Sequence, residues 1–528
     1  MSDFNERNNL AVAMVHSEMD ETDIHHFIDT LIPTAEMTPK SVEGALRLLP
    51  FADKLNACEK RLGIPFYQME HSLQDAVVLR RLQQMINTLN INPHWRDRIA
   101  TSGLKDVPQN FSEWQQLPLS DRDTMRDLYM GSRKGLVVPL QYGGFEIVAS
   151  GGTSSGLPVE SVYGLRELQH TYRIAGRFMG RHIYEPNLPE PEPKWVFTTL
   201  ADYQMWSSGT MVGGVLQAVP NINYIGAGPV RREIFQHIMS YPGPKAILGI
   251  SQGIAILTEL GQGLDERGRA SLRLAQYGSG VLPLRKELEL KEMYPNLAIS
   301  SYFAATQAET IGLQLNPNSS CLASVPGLHF IEIVDENGQW VKEGESGELV
   351  VTRLHAHRAP LIRLRLGDRM IRRSNIDTAD LKTQQFEFAG RCGDVIHICD
   401  TQFAANKTCE NLCQRLKTAG LFDLQAIAND IQFVNERGAK RLSMIASVDN
   451  AETLNTRMRS LLGKEGIRKL FMDALINSLS LFNLGEANVA YLQKSQYMFE
   501  LRLVPPKSTE IHRTDVGKVP LIIDDSLS

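Results

Sequence analysis

The run Ala149-Ser150-Gly151-Gly152-Thr153-Ser154-Ser155-Gly156-Leu157-Pro158 sets glycines among hydroxyl side chains, between an apolar stretch (Phe145-Glu146-Ile147-Val148) and a proline. Glycines let a backbone come close to a ligand, and serines and threonines add O–H donors to the N–H groups, so such a segment can cradle a polyanion. It is not the P-loop of nucleoside triphosphatases, because no Gly-Lys-Ser/Thr follows. In isolation the same composition makes a flexible surface turn. Other groups have chemistry of a matching kind. Lys518 follows Gly517 near the C-terminus and offers a compact positive charge, though most lysines are simply solvated. Asp368 closes Arg365-Leu366-Gly367-Asp368, where a carboxylate can accept from a pair of hydroxyls or cap a turn. The block Ser301-Tyr302-Phe303-Ala304-Ala305-Thr306-Gln307-Ala308-Glu309 joins two aromatic rings, which also suit a core, to a carboxamide and a carboxylate.

These groups need a frame to hold them. With 528 residues the chain exceeds one compact core, so two or more domains are expected. Hydrophobic residues at 43% and charged residues at 22% indicate an ordinary globular protein. Lys+Arg 55 against Asp+Glu 60 leaves −5, so there is no basic field to draw nucleic acid. Six cysteines in so long a chain do not make a disulfide framework, which fits a reducing compartment. The polar, acidic start Met1-Ser2-Asp3-Phe4-Asn5-Glu6 lacks an apolar signal core. No apolar run approaches the roughly 20 residues of a membrane span. The expectation is a cytoplasmic protein acting on a small molecule, with no nucleic-acid or membrane partner.

Along the chain, residues 1–50 are polar with scattered apolar positions and read as a loosely attached extension. Apolar residues at helical spacing (Leu73, Val77, Val78, Leu82, Met85, Ile86, Leu89) predict a helix over Tyr67–Leu89, and a second is predicted over Leu165–His182. Short strands follow at Trp195–Leu200, Ala246–Ile250 and Leu297–Ser301, which implies an α/β domain with largely parallel pairing. His329–Val334, the turn Glu336-Asn337-Gly338 and Glu348–Leu354 predict a β-hairpin or small barrel. Beyond Gly390, strands at Val395–Cys399, Ile431–Asn435, Leu442–Val448 and Met498–Val504 alternate with helical patterns at Lys407–Lys417 and Ala451–Ser480, an α+β unit of its own.

Gly347-Glu348-Leu349-Val350-Val351-Thr352-Arg353-Leu354 followed by Ala359-Pro360-Leu361-Ile362-Arg363-Leu364-Arg365-Leu366-Gly367-Asp368 resembles a signature of adenylate-forming enzymes, closest to their phenylacetate–CoA ligase-like branch. Gly390-Arg391-Cys392-Gly393-Asp394-Val395 is similar to that family's interdomain junction, Arg513–Asp524 to its C-terminal block, and Leu117-Pro118-Leu119-Ser120-Asp121-Arg122-Asp123 to an upstream one. With the Gly/Ser/Thr loop, these blocks stand in family order between about residues 117 and 524. The resemblance implies an α/β fold with a large N-terminal multi-sheet α/β domain (51–390) and a small, mobile C-terminal α+β lid (391–528). It also implies a reaction. A carboxylate attacks the α-phosphate of ATP to give an acyl-adenylate and pyrophosphate, and a thiol, most often that of CoA, then takes the acyl group.

Within that resemblance Ser150, Gly151, Gly152, Thr153, Ser154, Ser155 and Gly156 would hold the ATP phosphates, and Lys518 would be the catalytic cation at the α-phosphate. Asp368 would accept from both ribose hydroxyls; Arg391 would serve the ribose or phosphate region, or form a surface ion pair. Tyr302, Phe303, Ala304 and Thr306 would line the adenine site with Gly278, Ser279 and Gly280 along its edge. The loop departs from the family: it is one residue longer than the usual version, and Val159-Glu160 stands where a lysine is common. Pyrophosphate charge must then be met by Mg²⁺ or another base. Gln307 occupies the position of the usual Mg²⁺-linked glutamate; a neutral amide is a poorer ligand for a hard dication, so Glu309 would have to substitute. Tyr203, Trp206, Gly249 and Ser251 would wall a pocket for an aryl or mostly apolar acid, with Met205 adding soft contact. The final acceptor stays open between CoA, a carrier-protein thiol and an amine, the last two being those of a tailoring enzyme of secondary metabolism. A non-catalytic nucleotide-binding relative is the remaining alternative.

Cys409 and Cys413 have zinc-ligand spacing but also lie one turn apart on a helix, and some relatives carry a structural zinc near the position of Cys321 and His329. His355 and His357, on the strand after Gly347, could reach the active site but read more readily as exposed strand histidines.

Overall fold

The computed structural model describes residues 21–524 apart from residues 105, 150–158, 190–191, 204, 281, 393, 399–400, 479–496 and 514–518. The Gly/Ser/Thr loop Ser150–Gly156, Lys518 and residues 1–20 therefore lie outside the described residues. The chain divides into two compact units. One comprises residues 1–279 and 294–388; the other comprises 280–293 and 389–528.

In the larger unit residues 21–50 are largely helical and packed on the core, where the sequence predicts a loosely attached extension. Helix α1 (Glu21–Leu31) and a short helix Val42–Arg47 put Phe27, Leu31, Ile32, Met37 and Ala45 into the main core. They pack beside α2 (Phe51–Leu62) and α3 (His71–Leu89). In α3 the apolar spacing makes a continuous stripe. Leu73, Val77, Leu82, Met85, Ile86 and Leu89 are all within 2% of full burial, each contributing about 1.5–3 kcal/mol of apolar transfer.

Strands β1 (Phe145–Ala149) and β2 (Glu160–Gly164) pair antiparallel, with Ala149 opposite Glu160, and flank the Gly/Ser/Thr loop. Helix α4 (Leu165–Met179) leaves directly from β2 and continues as a π turn, Gly180–Tyr184. A mixed eleven-stranded sheet follows. Its strands are β3 (Trp195–Thr198), β4 (Asn223–Gly226), β5 (Lys245–Ile250), β6 (Leu272–Gly278), β7 (Ala298–Ala305), β8 (Glu309–Leu313), β9 (Cys321–Ala323), β10 (His329–Val334), β11 (Ser346–Arg353), β12 (Leu364–Asp377) and β13 (Lys382–Arg391). Their spatial order is β10-β11-β12-β13-β9-β8-β7-β6-β5-β3-β4.

The sheet has two halves of different character. From β4 to β7 all pairings are parallel and the intervening chain is helical. Beyond β7 the pairs β7–β8, β8–β9, β9–β13, β11–β12 and β10–β11 are antiparallel. The expected hairpin over His329–Leu354 is present as β10 and β11, one margin of this sheet and not a separate barrel. Largely parallel pairing thus holds for only half of it. In the parallel half the chain leaves β3 to one side for β4 and returns to its other side for β5. The carboxyl ends of β3 and β5 are therefore a topological switch point, where open α/β sheets leave a crevice.

The smaller unit has its own core, including Phe433, Leu442, Met444, Phe471 and Leu501. Strands β14 (Val395–Ile398) and β15 (Thr401–Ala404) form a hairpin. Strands β16 (Asp430–Glu436), β17 (Arg441–Ser447), β18 (Met498–Val504) and β19 (Ile522–Asp524) form a sheet in the order β18-β17-β16-β19. Helices Ala405–Thr418 and Ala451–Ile476 pack with it, the second broken at Gly463 (φ 61°). This unit also holds the helix Leu284–Met293, whose Arg285 pairs with Asp449 and donates to the Ile427 carbonyl at 3.2 Å.

Candidate functional site

The carboxyl ends of β3, β5 and β6 stand side by side. Register places Gly249 opposite Tyr277 and Ile250 opposite Gly278, so the last residues of β5 and β6 reach one rim. Six of the expected residues leave from it. Tyr203 and Trp206 lie just beyond β3, Gly249 and Ser251 at the end of β5, and Gly278 and Ser279 at the end of β6. Tyr203 and Trp206 close a turn by exchanging backbone hydrogen bonds of 2.9 and 2.8 Å. The Ala149 N–H, beside the start of the Gly/Ser/Thr loop, donates to the Met205 carbonyl at 3.0 Å. The loop thus departs from the same rim, although its own conformation is outside the described residues. Tyr203 (63% exposed) and Met205 (51%) present apolar surface there.

Tyr302 lies on β7, next to β6. Its ring covers Gly278, where a Cβ would fall 2.5 Å from a ring carbon, and its hydroxyl donates to the Gly249 carbonyl at 3.3 Å. Only glycine admits that approach, so the ring welds β5, β6 and β7 at their ends. Burial pushes the Tyr302 hydroxyl's pKa above its ordinary value. Side chains alternate along a strand, so Phe303 faces the other way. It is partly buried, with its ring 6.0 Å from that of Phe388. Ala304 is exposed, and Thr306 and Gln307 are partly buried in the turn that follows.

Backbone strain gathers in these blocks. Of the eight described non-glycine residues with positive φ, Met205 (67°), Ser279 (60°) and Glu309 (46°) all fall in them. Such conformations cost of order 1–3 kcal/mol each and persist where surrounding structure enforces them. Asp368 is aimed by a different device. Between the pairs Glu348–Arg369 and Val350–Arg365, β12 sets Leu366, Gly367 and Asp368 against Leu349 alone. This bulge turns on Gly367 at φ 80°, and Asp368 is 6% exposed. Arg391 and Gly280 belong to the smaller unit. Arg391 ends β13 and is exposed; its carbonyl accepts the Asp394 N–H at 3.0 Å. Burial raises the Asp394 carboxyl, and Arg391 opposes that shift.

Glu309 and its neighbours were only partly legible. The Glu309 Oε2 accepts from His329 Nε2 at 3.0 Å and meets His355 Nε2 at 3.3 Å. The two imidazoles more than offset burial, and the carboxyl is held well below its usual range. His329 is lowered by burial, opposed by Glu309. One ligand atom from each of the three lies within 4.8 Å of the others, and Glu309 Oε1 and His355 Nδ1 are buried without a hydrogen-bond partner. Two imidazoles and a carboxylate suit a borderline transition cation such as zinc better than Mg²⁺. As a Mg²⁺ ligand Glu309 would have to leave both rings. Among the described residues this is the one group of metal-ligating geometry. Cys409 and Cys413 instead lie one turn apart on their helix, neighbouring each other, with Cys413 buried.

His355 and His357 are 1% and 2% exposed, not surface residues. His357 Nδ1 lies 2.9 Å from Glu167 Oε1, and the carboxylate also accepts the N–H groups of His357 and Arg358 at 3.2 Å each. Burial alone would raise Glu167, but the His357 ring and these donors hold it down at about 2. The spacing His-x-His after β11 was the available signal, but it lacked any hint that acids from α4 and β8 would meet it.

No family model matches the chain, and no curated protein sequence is similar to it at a meaningful level. Solved structures are similar in fold. A 2-hydroxyisobutyryl-CoA ligase in the postadenylation state, in complex with 2-HIB-AMP, matches at 15% identity over 87% of this chain and 90% of its own, with a TM-score of 0.65. The same ligase in an open conformation with 2-HIB-AMP and CoA gives 0.55 at 15% identity over 87% and 93%. In its thioesterification state it gives 0.52 at 16% identity over 86% and 90%. The chain has the fold of these ligases: a large α/β part followed by a small α+β part.

Proposed function

We propose that the protein activates a carboxylic acid with ATP. A carboxylate oxygen bonds to the α-phosphorus, the bond to the β-phosphate oxygen breaks, and pyrophosphate leaves with that electron pair. The CoA sulfur then bonds to the acyl carbon, its proton is lost, and AMP leaves. The observation that carries this reading is convergence. Three hydrogen bonds, Ala149 N–H to Met205 O, Tyr302 O–H to Gly249 O and Tyr163 O–H to Thr306 O, draw blocks far apart in sequence to one end of a parallel sheet. The ligase with the same fold was solved with an acyl-adenylate and CoA, which supports adenylation followed by thioester formation.

Two anions must be brought together, so catalysis here is positioning plus preorganised positive potential. In this reading Ser150–Gly156 donate to the phosphates, Lys518 faces the α-phosphate, Asp368 accepts from the ribose and Arg391 serves the same region. Phe303 offers the face for adenine, with Gly278, Ser279 and Gly280 along its edge, and Mg²⁺ enters with the triphosphate. Tyr203, Met205 and Trp206 favour a flat, largely apolar acid, aromatic for preference.

A panel of aromatic, aliphatic and hydroxy acids in a pyrophosphate-release assay tests this, with CoA consumption followed in parallel. Release that depends on an acid, highest with an aryl acid and followed by loss of free thiol, is expected. ATP turnover indifferent to every acid would sink the proposal.

A further inference from the structure

Arg353, the last residue of β11, is fully buried, yet no carboxylate forms an ion pair with it among the described residues. Its Nη2 donates to the Val162 carbonyl at 3.2 Å and the Ala359 carbonyl at 3.4 Å, while its Nε and Nη1 make no hydrogen bond. The guanidinium lies 4.1 Å from the centre of the Tyr163 ring. Such a cation–ring contact is stronger when desolvated than at an exposed site. Burying a charge for so few polar partners is unfavourable unless its position serves something else. Tyr163 is itself buried, and its hydroxyl donates to the Thr306 carbonyl at 2.6 Å.

The places that these contacts join are specific. Val162 and Tyr163 are on β2, the strand that receives the chain from the Gly/Ser/Thr loop. Thr306 opens the turn that carries Gln307. A few residues on, Glu167 grips the backbone of His357 and Arg358, so the exit from β2 is pinned a second time to the segment after β11. We propose that Arg353 and Tyr163 are positioning residues. Arg353 fixes the Tyr163 ring, and the ring's hydroxyl sets the distance between the phosphate-loop hairpin and the Thr306–Gln307 turn. The proposal rests on the ATP reading for its functional consequence but not for its geometry.

Tyr163→Phe keeps the stack and removes only the hydroxyl. In the full chain it should raise the KM for ATP about 5-fold, the loss of one good hydrogen bond, in pyrophosphate release with the best acid of the panel. The melting temperature should stay within about 2 °C of wild type, the effect of a sub-kcal change in so large a chain. Arg353→Met should raise that KM further, and Arg353→Lys, which restores charge without the planar stack, should not rescue it. Amide hydrogen exchange on the nucleotide-free protein supplies a second arm: Tyr163→Phe should accelerate exchange in both residues 160–164 and residues 306–309. Unchanged exchange in both segments, or faster exchange with an unaltered KM for ATP, overturns the proposal. Wild-type protein that releases no pyrophosphate with any acid overturns the ATP reading instead, while faster exchange in Tyr163→Phe would still establish the tie.

Discussion

The rim of the parallel half-sheet and the charged network beside the antiparallel half are built on opposite terms. At the rim, Tyr203 and Met205 are exposed, Met205 and Ser279 hold left-handed backbone, and the residues touch one another mainly through main-chain bonds. In the network, Glu167, Glu332, Arg353, His355, His357 and Arg363 are all within 2% of full burial, and each makes its contacts, to other side chains or to the main chain, through its polar side chain. Arg363 shows the second style in full. It pairs with Glu332 at 3.2 Å and donates to the carbonyls of Gln115, Leu117 and Gly338 at 2.5 to 2.8 Å. Water-facing groups at the rim can exchange solvent for a ligand. Desolvated groups in the network cannot, so their work is to hold other parts still.

Three substitutions sharpen that contrast. The largest effect belongs to the proposed catalytic cation. Lys518→Ala should lower pyrophosphate release by about 100-fold or more, the scale for loss of a preorganised electrostatic group, with ATP affinity little changed in a nucleotide-binding titration. Normal release would remove Lys518 from the mechanism. Next comes Arg363→Met, which leaves the buried Glu332 without its cation, held only by the Trp114 and Trp340 indole N–H groups. Loss of one partner of a buried pair costs about 3–5 kcal/mol, to be read as a lower denaturant midpoint. If the comparison is right, the fraction still folded at low temperature keeps its KM for ATP.

The smallest effect is one of pH. The His357 ring and the backbone donors hold the Glu167 carboxyl at about 2 in the fold, below its ordinary 4.5. Its folded pKa is depressed, so its contribution is fully present above pH 4.5 and drains away as the pH falls toward 2. The shift corresponds to something on the order of 3 kcal/mol at neutral pH. Glu167→Gln should flatten the acid limb of a stability–pH curve in that window, and an unchanged limb would mean that Glu167 is not clamped as described.

The local elements of the rim were largely legible. Strands predicted at Trp195–Leu200, Ala246–Ile250 and Leu297–Ser301 stand at Trp195–Thr198, Lys245–Ile250 and Ala298–Ala305, and the helices over 67–89 and 165–182 are present. Apolar runs and helical spacing are local signals, and those elements obey them. The network was illegible for the converse reason. Glu167 and His357 are 190 residues apart, and nothing in either neighbourhood announces the other. An isolated histidine after a strand looks solvent-facing until its partner acid arrives from another element. Residues 21–50 misled in a similar way. Phe27, Leu31 and Ile32 are too sparse to suggest burial, yet they dock on a surface built by α2 and α3. The bulge at Gly367 needs the register of two strands before it can be seen.

The segment Gly280–Met293 bears on how this polypeptide can be dissected. It leaves the larger body after Ser279, joins the smaller one and returns at Tyr294, more than ninety residues before the junction at Ala389. A truncation at Ala389 would therefore strip Arg285 of both Asp449 and the Ile427 carbonyl. An expression fragment ending there would carry an orphaned helix next to Ser279. A cleaner excision would replace 280–293 with a short linker as well, so the two bodies are separable only by two edits made together.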